Sequence, residues 1–254
     1  MSAEDPRALL RFYEDAYSHS AEEAALYSRW RALGAVGKAD HVVCLCARAG
    51  LRPQTVLDVG CGDGALLGEL AGRGFGESLS GLEISEAAVA IARGRPGIDR
   101  VERFDGAHVP AGDDEYELGV LSHVLEHVRD PRGLLREVAR ACRAVVVEVP
   151  LEANLSAARA AKREGAREVG HLQRLDRSAA RSIVTGAGLR VADELEDPLP
   201  LGVQRFFARG PAGRAVASGK WAVRAGLHRL APDQARRLFT VHYAALCLPP
   251  PRGG

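Results

Sequence analysis

The stretch Thr55-Val56-Leu57-Asp58-Val59-Gly60-Cys61-Gly62-Asp63-Gly64 changes character halfway along. Its first five residues are mostly apolar or β-branched and read as a buried strand. Glycines at 60, 62 and 64 then allow a sharp turn and a close approach of backbone to a ligand. Residues 64–73 read as the helix that follows. A ligand held by such a turn lies beyond the carboxyl end of the strand, near the switch point of an open sheet.

Two kinds of ligand suit this geometry. Gly60-x-Gly62-x-x-Ala65 fits a dinucleotide fingerprint, and Glu83, near the end of a second strand, suits the ribose hydroxyls of either kind. Asp58 weighs on the other side. A carboxylate just ahead of the glycines repels a pyrophosphate and suits a ligand that carries an ammonium and a sulfonium.

Working outward, short apolar runs alternate with helical stretches. Strands are expected at 55–59, 79–84, 101–104, 116–121 and 144–149, with helices at 64–73, 86–95 and 131–142 between them. Val145-Val146-Val147 marks the clearest strand. This alternation implies a parallel sheet with helices on both faces. Beyond Pro150 a helical excursion is expected over 151–168, then a helix at 177–188, a strand at 189–195, a second helical excursion at 212–230 and a last strand at 239–248. Before the core, three helices are expected: one carrying Leu9, Leu10, Phe12, Tyr13 and Tyr17, one through Ala24, Leu26, Tyr27 and Trp30, and one over about 37–49 closed by Gly50 and Pro53.

Composition narrows the partners. The chain has 254 residues, 34 Lys+Arg against 33 Asp+Glu and a net charge of +1, which gives no reason to expect nucleic acid or an acidic membrane. Aromatic residues make up 5%, too few for a single-strand stacking platform. The apolar runs fall short of a membrane span, and the acidic start of the chain lacks an apolar leader, so a cytoplasmic location is expected. Cysteines at 44, 46, 61, 142 and 247 match no zinc spacing, and Cys44-x-Cys46 reads as core.

Leu57-Asp58-Val59-Gly60-Cys61-Gly62-Asp63-Gly64 resembles motif I of class I S-adenosylmethionine (SAM)-dependent methyltransferases. The resemblance continues through Gly81-Leu82-Glu83-Ile84-Ser85, Phe104-Asp105-Gly106 and Leu121-Ser122-His123-Val124-Leu125-Glu126-His127-Val128-Arg129-Asp130-Pro131. The last of these is typical of the small-molecule branch, the ubiquinone/menaquinone-type and natural-product enzymes. His171-Leu172-Gln173-Arg174-Leu175 also resembles that branch. The likeness covers about 54–195. It implies a Rossmann-like, seven-stranded, mostly parallel sheet with an antiparallel last strand. It also implies a helical lid over 1–50 and a SAM-binding domain over 51–254, with substrate-side insertions at 151–175 and 206–233.

Carried over by position, the resemblance has Gly60, Cys61 and Gly62 lining the methionine part of SAM, and Asp58 holding its amino group. Glu83 takes the ribose hydroxyls, Ile84 packs on the adenine, and Asp105 with Gly106 meets the adenine amino group. Ser122 and His123 close over the cofactor near its sulfur. From the lid, Tyr17 packs near the sulfonium and Arg31 pairs with the SAM carboxylate.

His123-x-x-Glu126-His127 also matches the inverted zincin pattern. The segment directly follows a strand, and Arg129-Asp130-Pro131 soon opens a new helix, so the long helix a zincin needs is missing. No metal is expected, and Glu126 and His127 read as structural. His171 is the leading general base and His123 the second, for acceptors that arrive protonated. His19, His41, His108, His228 and His242 show no partner pattern. The basic run Arg159, Lys162, Arg163, Arg167 reads as a solvated helix face.

The absence of Asn-Pro-Pro-Tyr or Asp-Pro-Pro-Tyr after the fourth strand favours a small-molecule acceptor at oxygen or amine nitrogen, handled by a monomer or homodimer. Two alternatives stay open. One is a nicotinamide-dependent oxidoreductase, for which no Tyr-x-x-x-Lys pair stands in the chain. The other is a non-catalytic SAM-binding protein.

Overall fold

The computed structural model describes Tyr17, residues 21–159, Glu164 and residues 170–250. Tyr13, His19 and most of the basic run 159–167 lie outside these residues. Seven strands form one sheet: β1 Thr55–Val59, β2 Ser78–Glu83, β3 Arg100–Arg103, β4 Tyr116–Ser122, β5 Cys142–Pro150, β6 Arg190–Asp197 and β7 His242–Leu248. Their order is β3-β2-β1-β4-β5-β7-β6. The pairs β1–β2, β1–β4, β2–β3 and β4–β5 are parallel, while β7 runs antiparallel to both β5 and β6. Six strands therefore share one direction and only β7 opposes them, the Rossmann-like arrangement expected from the sequence.

Alternation along the strands builds a core on each face. In β5, Val145, Val147 and Val149 pack with Leu134, Leu135 and Val138 of helix α4 (Pro131–Ala141) and with Ile183 and Val184 of α5 (Arg177–Gly186). Val146 points the other way. It joins Ala39, Val42 and Leu45 of α1 (Ala21–Arg48), Leu67 and Leu70 of α2 (Ala65–Gly72), and Val89 and Ala92 of α3 (Glu86–Arg93). Side-chain caps start three of these helices. Ser85 accepts from Ala88 N–H at 3.2 Å, Asp130 from Gly133 N–H at 2.8 Å, and Asp176 from Ala179 N–H at 2.7 Å.

Several sequence expectations need correction. The helices read separately at 24–30 and 37–49 are one helix, α1, of 28 residues. Gly34 and Gly37 lie inside this helix, and Gly37 serves packing: a Cβ there would meet Pro200 Cγ at 3.2 Å. The helix expected at the start of the first excursion does not form over 152–159, which run as bends and turns. Asn154 takes the local backbone groups, donating to Leu151 O at 2.8 Å and accepting from Ala157 N–H at 2.9 Å. The second excursion, expected at 212–230, is the helix α7 Gly210–Leu230, and two helices not read from the sequence flank it, α6 Leu201–Phe206 and α8 Pro232–Leu238; α7 and α8 have a proline in the first turn. Of the paired cysteines, Cys46 is core but Cys44 is exposed. No helix among the described residues is long and apolar enough to cross a membrane.

Candidate cofactor and acceptor site

The carboxyl ends of β1, β2, β4 and β5 open into a cavity of about 1580 Å³. Gly60 and Gly62 line its wall, and they and Gly64 have φ 78°, 54° and 74°, the left-handed region that glycine tolerates. The turn is pinned to β2, because Gly60 N–H and Cys61 N–H both donate to Leu82 O, at 2.7 and 3.0 Å. Side chains are excluded from it by space as well as by conformation. A Cβ on Gly60 would stand 2.6 Å from Val124 Cγ2, and one on Gly62 would stand 2.6 Å from the Tyr17 hydroxyl.

Two carboxylates back this turn. Glu83 accepts from Gly62 N–H at 2.9 Å through Oε2, and from Ile84 and Ser85 N–H at 2.7 and 3.0 Å through Oε1. Asp58 is 2% exposed. Burial pushes its carboxyl up to about 7; Lys38 opposes the shift and Glu83 adds to it. Tyr17, Arg31 and Cys61 complete this end of the cavity. Burial, with Glu83 behind it, pushes the Tyr17 phenol up. The Arg31 guanidinium lies 4.7 Å over the Tyr17 ring and its Nε donates to Asp63 Oδ2 at 2.9 Å. Arg95 reaches the same oxygen at 3.0 Å. Asp63 thus ties α1 to the glycine turn.

Ile84, Asp105 and Gly106 line the adjoining wall. Asp105 stands two residues beyond the end of β3 at Arg103. It turns the chain, accepting from Ala107 and His108 N–H at 2.8 and 2.7 Å, and pairs with His108 Nδ1 at 2.6 Å. The His108 contact holds its carboxyl down to about 2.

Histidines and carboxylates line the same cavity. Ser122 and His123 leave β4 into the cavity wall, with His123 at φ 60°, a strained conformation for a residue with a side chain. Its N–H donates to Glu148 O at 2.9 Å. Burial pulls its ring down, and Lys38 adds to this, but Glu126 and Glu148 outweigh both and lift it above the usual histidine range. His171 also lines the cavity, with Nδ1 2.7 Å from Glu152 Oε2 and its ring edge-on to His127 at 4.7 Å. With Nδ1 committed to Glu152, Nε2 is left to act as acceptor.

Every candidate residue read from the sequence therefore borders one cavity. Sequence reasoning missed others. His41 and His242 are not scattered: both converge on Glu148, which is 1% exposed on the α1-facing side of β5. His127, read as structural, lines the cavity, as does Glu152. Glu148 itself was readable, because a charge interrupting Val145–Val149 on a buried strand demands a partner.

A six-parallel, one-antiparallel sheet with a glycine turn after β1 and an acid ending β2 defines the class I SAM-dependent methyltransferase arrangement. A family model described as a methyltransferase domain matches residues 31–194, and the chain belongs to that family. Ubiquinone biosynthesis O-methyltransferase from Pseudomonas paraeruginosa is 36% identical over 99 residues, covering 37% of this chain and 41% of that relative. Its counterpart from Thiobacillus denitrificans is 34% identical over 102 residues, covering 37% and 41%. The chain thus spans about two fifths of the length of these relatives.

Among solved structures, magnesium protoporphyrin IX methyltransferase from Synechocystis with bound S-adenosylhomocysteine shares the fold. Its TM-score is 0.62 at 16% identity, over 97% of this chain and all of that one. A putative sarcosine dimethylglycine methyltransferase from Galdieria sulphuraria aligns with TM-score 0.58 at 14% identity, over 83% and 84%. SAM is the cofactor of this class, and the residues present fit it: a turn closed to any Cβ, a buried carboxyl at Asp58 and the Glu83 carboxylate beside the turn.

Proposed function

We propose that this protein moves a methyl group from SAM to an oxygen or amine nitrogen of a small molecule, a secondary metabolite or its precursor. One observation carries the reading. A single cavity is lined both by the glycine turn and by a set of histidines and carboxylates. Its volume of about 1580 Å³ exceeds the roughly 300–1,000 Å³ of an ordinary ligand pocket, leaving room for an acceptor beside the cofactor.

SAM supplies an electrophilic methyl on a sulfonium, so the chain's own work is placement, exclusion of water and removal of a proton. Gly60, Cys61 and Gly62 hold the methionine part, Asp58 its ammonium and Glu83 the ribose. Ile84, Asp105 and Gly106 hold the adenine, and Ser122 and His123 border the sulfur. Tyr17 and Arg31 close the cofactor from the lid side. His171 Nε2 takes the acceptor's proton, with Glu152 as positioning residue, and His123 is the second candidate base. The stretch 1–50 acts as the lid, and the insertions at 151–175 and 206–233 shape the acceptor end.

Thermal-shift titration with SAM, S-adenosylhomocysteine and NAD tests the cofactor. Stabilisation by the first two is expected, and stabilisation by NAD alone would sink the reading in favour of an oxidoreductase. Transfer from methyl-labelled SAM across a panel of hydroxy and amino metabolites tests the activity. Tight SAM binding with no transfer to any member would favour a non-catalytic binding protein.

A further inference from the structure

Glu148 stands on the apolar, α1-facing side of β5, where neither of its buried oxygens has a partner in hydrogen-bond geometry. Three imidazoles surround it at a distance. His242 Nδ1 is 3.2 Å and His123 Nε2 3.5 Å from Oε1, while His41 Nδ1 is 3.3 Å from Oε2. A direct charge-assisted N–H···O bond closes to about 2.7–2.9 Å, so these rings stand off from the carboxylate. The spacing is that of ligands sharing an ion: with bonds of about 2.0–2.2 Å, tetrahedral ligands sit about 3.3–3.6 Å apart.

We infer that His123, Glu148 and His242 form a divalent-metal site at the wall of the cavity. One ligand atom from each lies within 4.8 Å of the other two. The sheet makes this meeting possible. Ser122 pairs with Glu148 across β4–β5, and antiparallel β7 begins at the edge where those strands end, with His242 opposite Pro150. The left-handed backbone of His123 aims its ring from the same edge. Two imidazoles and a carboxylate are a donor set for zinc or iron(II). His41, with Nε2 3.5 Å from Asp197 Oδ2, buttresses the carboxylate from behind.

His123 and His242 also line the cavity, so an acceptor hydroxyl there can complete the coordination. Bound to the ion, that hydroxyl would become more acidic, which eases the loss of its proton to the His171 base. This role rests on the methyl-transfer reading; the ion site does not. The neighbouring trio Glu126, His127 and His171 has a similar spread; there His171, oriented by Glu152 at 2.7 Å, is the residue assigned above as base.

The test is metal uptake by the full chain, stripped with chelator and dialysed against Zn²⁺ or Co²⁺, with metal content and Co²⁺ visible absorption as readouts. Wild type is expected to hold an equivalent that is lost in Glu148→Gln and His242→Gln and kept in His171→Ala. A wild type that takes up no metal overturns the site. So does wild-type uptake in both Glu148→Gln and His242→Gln, or loss of the ion in His171→Ala. Stabilisation by S-adenosylhomocysteine, followed on every variant, checks folding, and His123→Gln substitutes for a variant that does not fold. Failure of S-adenosylhomocysteine to stabilise a wild type that still binds metal would remove the methyl-transfer reading and leave the ion site standing.

Discussion

At Asp58 the chain holds a carboxyl that burial pushes up to about 7, from 3.8 in an unstructured chain. Between those values the unfolded chain gives up a proton that the folded chain keeps. Stability without ligand therefore falls as pH rises through this window and levels off above about 7. Asp58→Asn removes the penalty. The ligand-free variant is expected to melt about 3 °C or more above wild type at about pH 8, the gap closing towards about pH 4. A lower melting temperature for the variant at high pH would show that the buried charge is already compensated. A cationic ligand reverses the balance, so SAM affinity of wild type should rise between about pH 6 and 8, and Asp58→Asn should weaken it. Gly62→Val, which forces a branched side chain into a left-handed turn and against Tyr17, is expected to abolish SAM binding by calorimetry. His171→Ala should spare SAM binding and lower kcat by about 10²-fold or more; normal turnover would remove His171 as base.

On the scale of elements, the joint between α1 and the glycine turn rests on Asp63, which is 1% exposed and faces Arg31 and Arg95. Both arginines are about a quarter exposed, so solvent screens part of the contact. Asp63→Ala is expected to cost about 1–3 kcal/mol in urea unfolding and to weaken SAM binding. An unchanged SAM affinity would mean that α1 does not set the shape of the turn. The elements of the sheet were legible because β1, β4 and β5 are apolar runs bounded by turns, and the helices α4 and α5 that follow β4 and β5 carry plain caps at Asp130 and Asp176. The unbroken α1 was not, since Gly37 reads locally as a breaker and only its packing on Pro200 explains it. The turns at 152–159 were hidden for a related reason: composition favours a helix, but Asn154 competes for the backbone. In the site, motif residues stood close in sequence and could be read together. His41, Glu148 and His242 come from three distant elements, and nothing short of the strand order brings them to one place.

Over the whole molecule, ligand binding and folding are linked through the turn that joins sheet and helix. At a concentration about 100 times its Kd, S-adenosylhomocysteine should stabilise the chain by about 2.7 kcal/mol, a rise of roughly 5–11 °C in Tm. A smaller rise at saturation would mean that the ligand also binds the unfolded chain. The segment proposed above to shape the acceptor side stands in a different part of the fold. Helices α6, α7 and α8 all lie between β6 and β7, and those strands are antiparallel neighbours with Asp197 opposite His242. The chain leaves the sheet and re-enters it at facing positions, so the sheet places little geometric demand on what lies between. Joining β6 to β7 by a short turn would close an ordinary hairpin, and a longer insert would add little closure entropy. The fold thereby separates a fixed cofactor half from an exchangeable cassette. If that cassette sets the acceptor, as proposed above, descendants of one ancestor can acquire new acceptors by swapping it, and a designer can graft a foreign one at the same two positions without redrawing the sheet.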